Sequence, residues 1–478
     1  MAESLKHKTI IGTIWSSVDR FASAGINFVF GLGLARLLMP KEYGLIAMIS
    51  IFMAISQSII DSGFSNALIR KKNRTEEDNS TAFYFNIVAG LAMYAIMFLL
   101  APFIASFYNE PILTSIVRVM AVSLFFGSIS IVQQAMLTVK IDFKTQTKIS
   151  LISVIVSGVI GIVVAYLGYG VWALVAQAVI ASFTRTILLW MFAKWKPTTG
   201  FSMVSFHYLF GYGSKLLVAG IMETIYRNLY TIVIGKTFSA SQLGFYSRGE
   251  QLGYFPANNI TGVIQRVTFP VLSEMQEDDE RLKRNFFRIL HLIVYLTFPA
   301  MILLIVIATP LVRILLTEKW LGCVPIIQIL SISFMWLPVH ILNLNLLQVK
   351  GRTDLSLKLE VIKKIIGITL LVATIPMGIM AMCWGRVVYC FIELFINLYY
   401  PHRLFDIQIQ EQLKETFKIF FGFGIVGAIS YYAANMFASD VCQLISGIIV
   451  FSCIWASLAI INNEFNIRKI ITEKINKR

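Results

Sequence analysis

Eleven charged residues stand inside stretches otherwise built from Leu, Ile, Val, Phe and Ala: Asp19, Arg20, Asp61, Arg118, Arg185, Glu223, Arg227, Glu250, Arg266, Arg386 and Glu393. Asp19 and Arg20 are adjacent in WSSVDRF (15–21), and neighbours on a helix point about 100° apart, so each needs its partner from another helix. Asp61 is the candidate partner for Arg20. Glu223 and Arg227 are four apart with the acid first, the order that pairs within one helix. Arg386 and Glu393 lie about two turns apart, while Arg118 and Arg185 have no counterion in their own stretch. A guanidinium stays charged when desolvated and grips phosphate oxygens two at a time. The chemistry these residues suit is therefore binding of a phosphate-bearing anion, with Arg20, Arg118, Arg185, Arg227, Arg266 and Arg386 as ligands and Asn27 and Asn258 for its polar remainder. Asp19, Asp61, Glu223, Glu250 and Glu393 are then candidate ion-pair partners.

Reaction chemistry has little to work with. Of five histidines only His340 lies deep in an apolar run, and it reads as a satisfied interior polar residue. There is no Ser-His-Asp arrangement, metal-spaced cluster or phosphate loop of the GxxxxGK[ST] type. The five cysteines show no CxxC and read as packing residues. The expectation is a protein that is not an enzyme and has no cofactor and no metal.

The elements that position the charges are membrane helices. The chain has 478 residues, 57% of them hydrophobic and 14% charged, and apolar runs of about 20 residues, enough to cross a hydrocarbon core, recur from end to end. They fall at 10–36, 43–69, 81–108, 112–139, 149–168, 171–193, 214–235, 243–271, 286–312, 322–348, 359–377, 378–400, 416–437 and 441–461. The fold class is an all-α polytopic membrane protein with about fourteen spans. The first run is longer than a signal-peptide core and is expected to be retained.

Charge tests the count, because cytoplasmic loops collect Lys and Arg. Of 41 basic residues, 29 fall in the N-terminus, alternate loops and tail; six (Arg36, Lys41, Lys236, Arg248, Arg313, Lys319) fall on the other side. Both termini are expected to be cytoplasmic. The net charge of +15 then reflects anionic lipid headgroups, and no nucleic-acid partner is implied. Stretches 201–215, 404–418 and 462–478 mix apolar and polar residues in a way that suits the headgroup plane.

Two helices carry stripes of small and polar residues. In the first, Ser16, Arg20, Ser23, Ala24, Asn27 and Gly31 recur every three to four residues; in the second, Ala47, Ser50, Ala54, Gln57, Asp61 and Ser65 do the same. Such stripes line cavities or let helices pack closely. A repeat is also visible: LARLLMPKEYGL (34–45) aligns with IGKTFSASQLGF (234–245), pairing Arg36 with Lys236 and Gly44 with Gly244. VKIDFKTQTK (139–148) similarly matches VKGRTDLSLK (349–358). Residues 1–196 and 197–400 are expected to be related six-helix lobes, followed by two helices and a basic tail in 401–478. Internal repeats of this kind place transport sites between halves.

LARLLMPKEYG, DSGFSNALIRKK (61–72), VKIDFK, RVTFPVLSEMQEDDERLKRNF (266–286) and LLTEKWLGCVPIIQIL (315–330), in this order, resemble the bacterial oligosaccharide flippases of the polysaccharide transport family, the Wzx type, within the multidrug/oligosaccharidyl-lipid/polysaccharide (MOP) superfamily. The resemblance covers nearly the whole chain. It implies two pseudo-symmetric lobes around a central cavity, alternating access and coupling to a proton or sodium gradient, with Asp19, Asp61, Glu223, Glu250 and Glu393 as candidate sites for the coupling cation, H+ or Na+. It also implies a substrate of undecaprenyl diphosphate bearing an oligosaccharide, moved from the cytoplasmic to the outer face for capsule, exopolysaccharide or O-antigen synthesis, alongside a polysaccharide polymerase and export machinery. The alternatives are a drug/cation antiporter of the same superfamily and a membrane polysaccharide polymerase.

Overall fold

A computed structural model describes residues 2–461, and every described element is helical. The chain forms two compact units, Met1–Gly244 and Phe245–Arg478. The fourteen apolar runs fall on helices, three of them (43–69, 214–235 and 322–348) across a break, as a bilayer demands when it offers the backbone no hydrogen-bond partners. Among the described residues, ten helices are long and apolar enough to span, and the bent pair Met203–Arg227 and Leu229–Thr237 makes eleven. The remaining runs, 10–36, 243–271 and 359–377, fall short of that, and the first two carry Asp19, Arg20, Glu250 and Arg266.

The first unit holds α1 (Ala2–Leu37), α2 (Pro40–Asp61), α3 (Phe64–Arg70), α4 (Glu76–Tyr108), α5 (Leu113–Val139), α6 (Phe143–Tyr166), α7 (Trp172–Ala193), α8 (Met203–Arg227), α9 (Leu229–Thr237) and the first turn of α10 (Ala240–Ser273). Sequence signals set several boundaries. Pro40 opens α2, where its missing N–H removes nothing. The Thr75 hydroxyl accepts from the Asp78 N–H at 3.3 Å, and Asp78 returns a bond from the Thr75 N–H at 2.9 Å, a capping box. Asp142 caps α6 in the same way, accepting from the Thr145 N–H at 3.1 Å.

Helix α1 packs on α6, and α6 on α7. Small residues permit these approaches: a side-chain carbon at Gly158 would fall 2.4 Å from the Phe30 ring, and one at Gly33 3.1 Å from Ile162. The second span is broken at Ser62 and Gly63, both left-handed at φ 45° and 70°. The break receives α8, where a side-chain carbon at Gly213 would lie 2.1 Å from the Ser62 carbonyl oxygen. From Met203 onward, residues 201–215 form the first half of α8, and Phe206 and Phe210 pack on buried Phe64 at ring separations of 6.0 and 6.4 Å.

The repeat has a physical counterpart. A side-chain carbon at Gly44 would lie 1.7 Å from the Ala240 carbonyl oxygen, and one at Gly244 would lie 1.9 Å from that of Pro40. Residue and partner exchange roles with an offset of 200, the mark of a two-fold, self-complementary contact. Only glycine fits either place.

The second unit holds the rest of α10, then α11 (Asp279–Leu316), a 3-10 turn (Glu318–Cys323), α12 (Val324–Phe334), α13 (Leu337–Val349), α14 (Thr353–Thr374), α15 (Ile379–Phe405), α16 (Ile409–Asn435) and α17 (Asp440–Ile461). Asp278 caps α11 by accepting from the Arg281 N–H at 2.9 Å. Helix α11 is the unit's spine, packed against α12, α13, α16 and α17. Trp336, fully buried between α12 and α13, meets Phe298, Phe391, Phe417 and Phe420 with ring separations of 4.9 to 5.9 Å. Stretch 404–418 is divided between the end of α15 and the start of α16. Stretch 462–478 lies outside the described residues.

Candidate anion-binding and ion-pair sites

In the first unit, Arg20 and Asn27 lie seven residues apart on α1 and are both exposed. That spacing puts them on one helix face. Among the described residues Arg20 has no carboxylate within ion-pairing distance. Asp19 faces elsewhere: it accepts from the Ser23 hydroxyl at 3.1 Å and acts electrostatically on Arg185 of α7. Arg185 donates from Nη2 to Gln134 Oε1 of α5 at 3.4 Å. Among the described residues Asp19 and Arg185 make no ion pair within 4 Å, and the contact Arg185 makes is with the Gln134 amide.

Asp61 does not pair with Arg20. It ends α2, and its carboxylate accepts from the Ser65 N–H at 3.3 Å, capping α3 across the break. Local backbone demand takes the carboxylate, because the first N–H groups of α3 have no helical acceptors. Arg118 sits on the seam of α4 and α5, with its guanidinium 4.3 Å from the centre of the Phe98 ring and Nε donating to the Phe98 carbonyl at 3.4 Å. Cation–π contact replaces a counterion there. Glu223 and Arg227 approach within α8 at 3.9 Å, both well exposed.

The second unit pairs its charges. Arg386 of α15 meets Glu250 of α10 at 2.5 Å, donates to the Tyr246 hydroxyl at 3.0 Å and lies 4.9 Å from the Phe334 ring centre. Arg386 and Glu393, two turns apart, are thus not partners, since each finds a closer ion on another helix. Glu393 accepts from Lys363 of α14 at 3.1 Å, and Lys363 also meets Glu360 at 2.5 Å. Arg248, 9% exposed, donates to Gln251 at 2.7 Å. Asn258 is half-buried on α10. The side chain of Arg266 lies outside the described residues.

Lys363 and His340 were missing from the sequence-derived site. Lys363 counts as a loop cation in the charge tally, yet its side chain is 2% exposed. The available signal was its spacing four residues after Leu359, itself 3% exposed, which puts the ammonium on the buried face of α14. His340 Nε2 lies 3.9 Å from Glu393 Oε2 and 3.4 Å from Cys390 Sγ, and Asn397 Nδ2 is 3.4 Å from His340 Nδ1. Among the described residues no group of three His, Cys, Asp or Glu could hold a metal ion.

Comparison with solved structures gives the class first. The chain superposes on "Lipid II flippase MurJ, inward closed conformation" with a TM-score of 0.71 at 14% identity, covering 92% of this chain and 98% of that one. It superposes on an inward-facing multidrug-resistance MATE family transporter of the MOP superfamily with a TM-score of 0.60 at 13% identity, covering 82% and 98%. The fold is that of MOP-superfamily membrane transporters. Residues 33–325 match the family model described as "Polysaccharide biosynthesis protein", and the chain belongs to that family. It is similar to lipopolysaccharide biosynthesis protein WzxC of Escherichia coli K12, 27% identical over 368 residues, 75% of this chain and 74% of that one. The protein is a multi-pass membrane protein of the polysaccharide biosynthesis protein family with the fold of these transporters.

Proposed function

We propose that the protein moves oligosaccharide repeat units linked to undecaprenyl diphosphate from the cytoplasmic to the outer face of a bacterial inner membrane, by alternating access. The product feeds capsule, exopolysaccharide or O-antigen assembly, where a polymerase and export machinery take it up. The observation that carries this reading is the state of the first unit's membrane arginines. Arg20, Arg118 and Arg185 make no ion pair within 4 Å among the described residues, so their charge is available to a ligand anion. A pyrophosphate offers several oxygens to such groups. On this reading both termini are cytoplasmic, residues 1–196 and 197–400 are the two related lobes, and residues 401–478 are appended.

The MATE-like fold also supports a drug/cation antiporter. A cation site needs carboxylates left over after internal pairing, and Asp61, Glu250 and Glu393 are engaged, which favours the anion. The test is reconstitution in liposomes with a fluorescent undecaprenyl diphosphate-linked sugar, followed by its appearance on the far leaflet. Protein-dependent movement supports the flippase; binding of organic cations without movement of the lipid under any ion gradient would favour the antiporter.

A further inference from the structure

Ile141, between α5 and α6, is held in the left-handed region at φ 58°, where a β-branched side chain crowds its own backbone. The repeat shows that the turn itself does not call for this residue. Lys140, Ile141 and Asp142 donate their N–H groups to the carbonyls of Met136, Thr138 and Leu137. Lys350, Gly351 and Arg352 donate to those of Leu346, Gln348 and Leu347, the same pattern residue for residue. Asp142 and Arg352 leave the two turns at φ −87° and −89°. Gly351 takes the left-handed place at φ 70°, and a side-chain carbon added there would meet nothing within 4 Å. Glycine is the unstrained solution to this turn, and the first half of the chain does not use it.

What the Ile141 side chain meets is α1. A side-chain carbon at buried Gly12 would lie 3.0 Å from Ile141 Cγ2 and 2.9 Å from the Phe143 ring, so these two side chains close on bare backbone. One turn further along both helices, Thr147 donates from Oγ1 to the Trp15 carbonyl at 3.1 Å, and the Lys144 ammonium lies 5.8 Å from the centre of the Trp15 ring. Helix α6 meets α1 again where Phe30 lies on Gly158 and Gly33 on Ile162. Arg20 and Asn27, exposed on one face of α1, fall between these two grips. Arg20 is five residues past Trp15, about 7.5 Å along the helix axis.

We infer that the turn between α5 and α6 is a clamp on α1: Ile141, Phe143 and Thr147 fix the helix at Gly12 and Trp15 and thereby set where Arg20 is presented to an anion. They are positioning residues that act through Arg20. The positioning role rests on the export reading above; the clamp does not. Misplacing a working group by about 1 Å can cost a hundredfold in rate, and backbone strain persists where the surrounding contacts and the site's geometry require it.

Hydrogen exchange on the full chain in nanodiscs, read by mass spectrometry, tests the clamp without reference to transport. Ile141→Gly keeps the turn and removes the side chain, so exchange should quicken in peptides covering 11–22 and stay unchanged in those from α4 and α5. Unchanged exchange in 11–22 overturns the clamp. A variant that quickens exchange throughout the first unit has lost its fold, and Thr147→Val, which removes only the hydroxyl bond to Trp15, then takes its place in both assays with the same outcomes expected. The positioning role is tested in liposomes with fluorescent undecaprenyl diphosphate N-acetylglucosamine as probe. Ile141→Gly should slow its movement about tenfold or more, and Ile141→Val should restore it. Ile141→Gly combined with Arg20→Ala should lose no more than Arg20→Ala alone, because a residue that acts through another adds nothing once the other is gone. Losses that multiply, or Arg20→Ala moving probe at the wild-type rate, overturn the positioning role. No probe movement in wild type counts against the export reading, and hydrogen exchange then judges the clamp alone.

Discussion

Membrane charges in the two units keep different company. In the second, Arg386 lies 2.5 Å from Glu250, Lys363 lies 3.1 Å from Glu393, and Arg313 meets Asp440 at 3.0 Å. In the first, Arg20, Arg118 and Arg185 have an open face, an aromatic ring and an amide. A charge kept in a membrane helix needs compensation from somewhere. Where the protein supplies it, loss of a partner should appear as instability; where it does not, loss should appear as failed transport.

The largest expected effect is Lys363→Met, which leaves Glu393 and Glu360 facing each other without a cation. Removing one partner of a buried ion pair costs about 3–5 kcal/mol, read as a fall in the thermal unfolding midpoint of the detergent-purified protein. Adding Glu393→Gln to Lys363→Met should restore most of it. A single variant as stable as wild type would mean that the ammonium is not compensating charge, and the contrast between the units would weaken.

Next come the reciprocal glycines. Gly44→Ala and Gly244→Ala each drive a methyl into a backbone carbonyl that cannot swing away, an overpacking cost of about 1–3 kcal/mol. The two variants should be equally damaging in unfolding and export assays, because the contact is symmetric. Unequal damage would show that the repeat is no longer functionally two-fold there.

Arg20→Ala should do the reverse. The side chain is exposed and makes no ion pair among the described residues, so stability should stay within about 0.5 kcal/mol. Lipid-linked sugar movement should fall about tenfold or more, equivalent to about 1.4 kcal/mol, with partial rescue by Arg20→Lys. Unchanged export would reduce Arg20 to scaffold.

These contrasts separate what the amino-acid sequence makes legible from what it hides. Helix positions are readable because an apolar run in lipid has few other ways to satisfy its backbone, and Pro40, Thr75, Asp142 and Asp278 mark where helices begin. The Gly44 and Gly244 match is readable because a backbone contact leaves a residue-type signature. The break at Ser62 is not: DSGFS has one glycine, and what opens the helix there is the arrival of Gly213 from α8, about 150 residues further along the chain. Ion-pair identity is equally opaque. Glu250 and Arg386 are 136 positions apart, and Arg386 has Glu393 closer in sequence, so only the packing of α10 on α15 selects the pair. Lys363 was assigned to a loop because charge marks the side of the membrane on average and says nothing about one residue that turns inward.

The smallest expected effect falls on the pair that fits neither description. Glu223 and Arg227 were predictable from their spacing, and they do approach, but at 3.9 Å and with 52% and 77% of their side chains exposed. Exposed pairs four apart on a helix contribute about 0.3–0.5 kcal/mol, so Glu223→Gln should move the unfolding midpoint by little more than its error. Arg227 immediately precedes the bend between α8 and α9, where Asn228 joins the two helices, and the pair sits where the span changes direction. If its role is only to tie the last turn of α8, export in Glu223→Gln should also be unchanged. If export fell tenfold with stability intact, Glu223 would act on a ligand or ion rather than on Arg227. The first unit would then hold a working carboxylate beside its open arginines, and the division of labour between the units would have to be redrawn.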